Sequence, residues 1–252
     1  MSNKIKIFYG ENHSQFGVLR VPQSKSPSPV IVTIHGGFWQ EKENNPIAED
    51  LTRKGYATWN IEYRRLGERG GGWPGTFDDV IDAVNHLTNI KETHRLDLTN
   101  VIIIGHSAGG HLALWLASRA LHRNTDNIFK DLEVPIRKVI SLAGVTDLKK
   151  MLEIHDEKGI KSPVTELMGG TPREVPERYK LASPIELLPM DVEQVLVHGE
   201  LDQHVSVELS KDYYNKAIEQ QDHVKLVVLP EIEHFKIIDP SSTAWNSVID
   251  IF

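Results

Sequence analysis

The chain has 252 residues, 40% hydrophobic and 25% charged, with 28 basic against 35 acidic side chains for a net charge of −7. That length supplies a large core without staples, and the acidic balance excludes the basic face that nucleic-acid phosphates require. There are no cysteines, which rules out disulfides, thiolate metal sites and a cysteine nucleophile, and fits a cytoplasmic chain. The opening residues Met1–Ile7 lack the apolar core of a signal peptide, and no apolar run approaches the ~20 residues that span a bilayer.

In chain order, the Ser24–Pro29 run (SKSPSP) reads as a loop between early edge strands and the first buried one. Val30–Ile34 is β-branched and continuously apolar, as expected of a parallel strand covered on both faces. His35-Gly36-Gly37-Phe38-Trp39 follows at its end. Tyr56–Ile61 is a second such run. Gly67–Gly75 (GERGGGWPG) lacks both the Lys-Ser/Thr ending of a phosphate loop and the Gly-x-Gly-x-x-Gly fingerprint, so it reads as a flexible loop into a helix over Phe77–Ile90. Val101–Ile104 is a strand, and Ala108–Ala120 carries helical spacing.

Val139–Leu142 is the next strand, and then the alternation breaks. The segment 146–189 holds Pro163, Pro172, Pro176, Pro184 and Pro189. It reads as an insertion of short helices and loops, placed to cap a site. Val195–Val197, a helix over Val205–Ile218 and the strand Val224–Leu229 restore the pattern. Strands alternating with helices indicate an α/β fold with a parallel, doubly wound sheet, here one domain over residues 1–252.

The strongest chemical signal is Gly105-His106-Ser107-Ala108-Gly109, between a buried strand and a helix. A turn this tight demands small flanking residues and holds a serine hydroxyl clear of the sheet, as a nucleophile requires. A hydroxyl needs a base, and the sequence offers twelve histidines. Asp202 lies just past the strand ending in His198-Gly199, and His234 just past Val224–Leu229. Both fall at carboxyl ends of strands, where open α/β sheets place their sites. His234 would take the Ser107 proton and Asp202 would fix its tautomer. Glu200 comes too early on its turn to replace Asp202, and Glu231 and Glu233 lie too close to His234 in sequence to orient it.

Acyl transfer also needs donors for an oxyanion. The backbone N–H of Ala108 is one, and those of Gly37 and Phe38 are the candidates for the other. Trp39 and Trp73, on loops at the edge of this site, are expected to line an acyl or aromatic pocket. His35 and His106 are expected to brace their loops, His111 to pack and His198 to close its strand. His13, His86, His94, His122, His155, His204 and His223 show no metal-ligand spacing, so no metal is expected.

Taken together, these motifs resemble the α/β-hydrolase superfamily over nearly the whole chain. The His-Gly-Gly-x-Trp form at 35–39 is similar to bacterial esterases and kynurenine formamidases, whereas hormone-sensitive-lipase-like esterases carry a glycine where Phe38 stands. Asn60-Ile61-Glu62-Tyr63-Arg64, Ala182-Ser183-Pro184-Ile185 and His234-Phe235-x-x-Ile238-Asp239-Pro240 add to the likeness. The resemblance implies a mostly parallel sheet of about eight strands with helices on both faces and a small helical cap. It also implies cofactor-free hydrolysis of a small ester or aryl formamide through an acyl-enzyme on Ser107. An acyltransferase or small peptidase with the same residues is the alternative, and a non-catalytic binding protein that kept the fold is a third. The expected partner is a small-molecule substrate, with no nucleic acid or membrane; a homodimer is expected by base rate.

Overall fold

The computed structural model describes residues 3–41, 46–121 and 128–252; His122 lies outside them. In chain order the strands are β1 (Asn3–Phe8), β2 (Phe16–Val21), β3 (Ser28–Ile34), β4 (Ala57–Ile61), β5 (Leu96–His106), β6 (Ile136–Leu142), β7 (Glu193–Gly199) and β8 (Val224–Leu229). The helices are α1 (Ile47–Arg53), α2 (Gly75–Asn85), α3 (Leu87–His94), α4 (Ala108–Ser118), α5 (Leu148–Glu157), α6 (Pro163–Met168), α7 (Pro176–Ala182), α8 (Val207–Glu219) and α9 (Thr243–Ile249). Among the described residues no helix is long and apolar enough to cross a membrane.

One sheet of eight strands runs in the order β1-β2-β4-β3-β5-β6-β7-β8. β2 is antiparallel to β1 and to β4, and the other pairs are parallel. Alternation splits the apolar strands between two faces. Val30, Val32, Ile34, Val101 and Ile103 join the larger core, with α2, α4 and α8. Ile31, Ile102, Ile104, Ile140 and Val197 join the smaller one, under α1 and α9. The Trp245 indole N–H donates to Asp50 Oδ2 at 2.7 Å, tying α9 to the first-turn end of α1. All eleven residues of α4 are buried, so this helix has no solvent face for polar residues to mark.

The register brings the strand ends level: Ile34 pairs with Ile61 and Gly105, Leu142 with Val197, and Gly199 with Leu229. The loops that follow β3, β5, β7 and β8 therefore open along one edge of the sheet. The site is built there.

Two sequence expectations shift. The helix over 77–90 is two helices that meet at His86, because the Thr88 hydroxyl takes the Asn85 carbonyl at 2.7 Å and Asn89 N–H closes a tighter i→i+3 bond to His86; side-chain competition for a carbonyl bends helices in this way. The loop at 67–75 is not flexible but pinned. Arg64 grips Asp79 (Nη2–Oδ1 2.7 Å) and reaches the Gly75 carbonyl, Gly72 N–H donates to the Thr76 hydroxyl, and Trp73 N–H donates to Leu167. The insertion at 146–189 carries α5, α6, α7 and a 3₁₀ turn at Pro184–Leu187. Its Leu148, Met151, Leu167 and Tyr179 are part of the larger core.

Candidate active site

Ser107 sits at φ 54°, ψ −120° between β5 and α4. This is left-handed backbone that costs a non-glycine residue about 1–3 kcal/mol and persists only where surroundings enforce it. Small neighbours make the turn feasible. A Cβ on Gly105 would lie 2.1 Å from the Gly109 carbonyl oxygen, and one on Gly109 would lie 2.2 Å from that of Ile34. Ser107 N–H donates to Leu142 at 2.9 Å, so the strain is held from β6.

The loop after β3 is strained over three consecutive residues, with φ of 95° at Gly37, 49° at Phe38 and 60° at Trp39. The Gly37 carbonyl accepts from both Gln40 and Glu41 N–H at 2.9 Å. His35 anchors the loop from below. Its Nδ1 donates to the Gly36 carbonyl at 2.8 Å, its Nε2 meets Glu62 Oε1 at 2.9 Å, and its ring stacks on Tyr63 at 4.6 Å. The Tyr63 hydroxyl donates to the His35 carbonyl. Burial pushes the Glu62 carboxyl up, but hydrogen bonding and charge from His35, with Arg65 behind, hold it below the ordinary range.

Asp202 and His234 come together from the loops after β7 and β8. His234 Nδ1 lies 2.5 Å from Asp202 Oδ2, which leaves Nε2 as its free ring nitrogen. His106 Nε2 donates to the His234 carbonyl at 3.0 Å. Burial lowers the His234 pKa below its ordinary 6.5; the hydrogen bond to Asp202 opposes this, while His106 and His204 add to it. Asp202 Oδ1 accepts the N–H groups of His204 and Val205, both at 2.8 Å. Burial would raise the Asp202 carboxyl, yet hydrogen bonds from His198 and His234 bring it well below the usual carboxylate range.

Ser107 and His234 line one cleft of about 280 Å³, together with Gly37, Phe38, Gln40, Glu41, His204 and Phe235. Ala108 begins α4 directly beneath. Glu200, Glu231 and Glu233 are all exposed and do not line this cleft. Among the described residues no cluster of three His, Asp or Glu side chains could hold a metal ion.

Two expected pocket residues lie elsewhere. Trp39 is fully buried, its indole N–H donating to His111 Nδ1 at 3.2 Å. Trp73 packs edge-on against Phe77 and Phe129, with centroids 5.4 and 5.0 Å away. Both tryptophans point into the larger core, because each ring finds aromatic or imidazole partners there that water would not replace. In their place Phe38, Phe235 and His204 line the cleft.

His198, expected only to close its strand, also meets Asp202. This buried ring accepts from the Ser210 hydroxyl at 2.7 Å through Nδ1, while Nε2 donates to the Val205 carbonyl at 2.9 Å and lies 3.3 Å from Asp202 Oδ2. The signal was its position, four residues before Asp202 and across one tight turn.

This sheet, with its strand order and a strained serine turn at its centre, defines the chain as an α/β hydrolase. Residues 18–217 match the BD-FAE family model, and the chain belongs to that family. A kynurenine formamidase of Salmo salar is 24% identical over 241 residues, covering 93% of this chain and 76% of the relative. The esterase EstD of Thermotoga maritima is 21% identical over 243 residues, covering 88% of this chain and 58% of its own. In fold the chain is similar to esterase B from Lactobacillus rhamnosis, with a TM-score of 0.85 at 18% identity over 99% of this chain and 85% of that one. A truncated carbohydrate esterase from gut microbiota superposes with a TM-score of 0.82 at 20% identity over 100% and 94%.

Proposed function

We propose that the chain is a serine hydrolase that cleaves small carboxylic esters or aryl formamides through an acyl-enzyme on Ser107. The observation that carries this reading is the shared cleft. It holds a strained serine, an imidazole fixed by a carboxylate at 2.5 Å, and a glycine loop whose backbone turns toward both. His234 Nε2 takes the proton of the Ser107 hydroxyl as its oxygen attacks the carbonyl carbon. The negative charge that builds on the carbonyl oxygen is met by N–H groups of Ala108 and of Gly37 or Phe38. The imidazolium, stabilised by Asp202, then protonates the leaving alcohol or amine. Water, deprotonated by the same nitrogen, releases the acid or formate and restores Ser107.

His198 and His106 are positioning residues in this scheme, one on the carboxylate and one on the backbone of His234. The relatives named formamidase and esterase both favour an acyl carbon bearing a heteroatom leaving group. The absence of cysteine fits a cytoplasmic setting.

The test is turnover of 4-nitrophenyl acetate and of N-formylkynurenine by the wild type and Ser107→Ala. Wild-type activity, with a loss on the order of 10⁴–10⁶-fold in the variant, is the expected result. A variant that keeps the wild-type rate removes Ser107 from the mechanism. The ratio of the two substrates separates esterase from formamidase, and a fluorophosphonate adduct on Ser107 is expected from either.

A further inference from the structure

A second groove, of about 330 Å³, opens beside the cleft and shares Phe38, Gln40 and His204 with it. Its outer wall is the turn between α5 and α6. Phe38, Ile160 and Pro163 give it apolar surface, and the Lys158 and Lys161 side chains stand over it. Both lysines are exposed, and among the described residues neither has an ion-pair partner, in contrast to Lys149, Lys150 and Lys180 of the same insertion, which all pair with glutamates. Among the described residues no carboxylate lines the groove, although Asp156 and Glu157 are exposed on the end of α5 nearby. Two unpaired ammonium groups at one groove run against the charge of a chain that carries −7 overall.

Helix chemistry explains part of this. Lys158 caps α5, where the dipole favours a cation. Lys161 has no such reason, since it precedes the N-cap Ser162 of α6, an end that favours anions. His155, buried in the groove wall, does not supply the charge. The His155 pKa is lowered, first by burial and then by Lys158, and its Nδ1 is engaged with the Ser162 hydroxyl at 2.9 Å.

We propose that this groove is a specificity subsite for an anionic, carboxylate-bearing end of the substrate, with Lys158 and Lys161 as its recognition charges. The inference rests on the reading of Ser107 as nucleophile and narrows its substrate class to acidic esters or formamides. An ammonium is a point charge on a flexible stem, so the subsite selects sign and reach rather than shape. The scissile carbonyl lies over Ser107, the body of the substrate passes Phe38, and the carboxylate ends between the two lysines. Neither lysine touches the reacting atoms.

The experiment compares two matched pairs of esters by kcat/KM. Mono-(4-nitrophenyl) succinate against 4-nitrophenyl butyrate places the carboxylate on the acyl side. The acetate ester of 4-hydroxybenzoate against phenyl acetate places it on the leaving-group side. Intrinsic reactivity cancels when wild type is compared with the double variant Lys158→Gln, Lys161→Gln. The charged-to-neutral ratio of one pair is expected to fall roughly five- to tenfold in the variant, the scale of two exposed charge contacts. The wild-type ratio is expected to fall likewise as salt is raised, while neutral-ester rates stay unchanged. Ratios that are the same in wild type and variant for both pairs overturn the subsite. No hydrolysis of the neutral esters by the wild type overturns instead the reading of Ser107, so the two failures are distinct.

Discussion

The two loops that flank Ser107 do different work and are held by different means. The loop at 35–39 offers backbone N–H groups, so its geometry is a matter of φ angles. It is enforced by glycines, by three left-handed residues in succession, and by His35 seated on Glu62. The loops at 202 and 234 offer side chains; Glu231 is left-handed there at φ 60°, but Asp202 and His234 are not, and they are held by hydrogen bonds that converge on one carboxylate from His198, His204, Val205 and His234. Damage to the first loop should therefore lower stability and activity together, whereas damage to the second should fall far more on activity than on stability.

The sharpest break is Asp202→Asn. The amide oxygen can still accept from His204 and Val205 N–H, so the fold should survive, with some loss of melting temperature because a carboxylate held below its ordinary pKa contributes stability, while kcat falls about 10⁴-fold because the imidazole takes the wrong tautomer. A melting temperature that collapses with the rate would erase the contrast. Gly37→Ala is the counterpart. A Cβ there would lie 2.3 Å from the Glu41 carbonyl oxygen at a φ of 95°. The loop must move, with kcat expected to fall about 10²–10³-fold and stability to fall by about 1–3 kcal/mol, read by denaturant unfolding.

Glu62→Ala leaves His35 buried without its partner. About 3 kcal/mol of stability should be lost, as on breaking other buried pairs, with a smaller fall in kcat. The pH dependence has a definite sign. The folded Glu62 pKa lies below its ordinary 4.5, so its contribution is complete above pH 4.5 and is lost as pH falls through the folded value. Thermal melts of wild type and variant should therefore converge in strong acid. The smallest effect is His204→Gln. Facing His234 are Asp202, His106 and His204, and removing the last relieves a repulsion that disfavours the imidazolium. The acid limb of the kcat/KM profile, below pH 6.5 in the wild type, should move to higher pH; a move to lower pH would contradict the electrostatics given for His234.

What could be read in the sequence follows the same division. Ser107, Asp202 and His234 were legible because each sits at the end of an apolar run, and strand ends converge in this kind of sheet. The glycines at 36–37 and 105–109 were legible because tight turns exclude side chains. Trp39 and Trp73 were misplaced because their fate depends on His111, Phe77 and Phe129, partners that no local pattern announces. The break at His86 hid in a good helical period, since one threonine hydroxyl decided it. His198 looked like a strand residue because its partners, Asp202 and Ser210, lie across a turn whose path only the fold fixes.

His111 has a practical consequence for anyone redesigning the rim. This one imidazole, at the start of α4, accepts from Trp39 of the glycine loop and donates to the Ala182 carbonyl of α7 at 2.9 Å. A graft that replaces 146–189 to change selectivity must therefore supply a carbonyl in the place of Ala182, or the glycine loop loosens with it. The same ring sets a limit on storage. Burial lowers its pKa to about 4, so below pH 6.5 the unfolded chain gains a proton that the folded chain refuses. Stability, and with it shelf life, should therefore fall as the buffer is taken below pH 6.5.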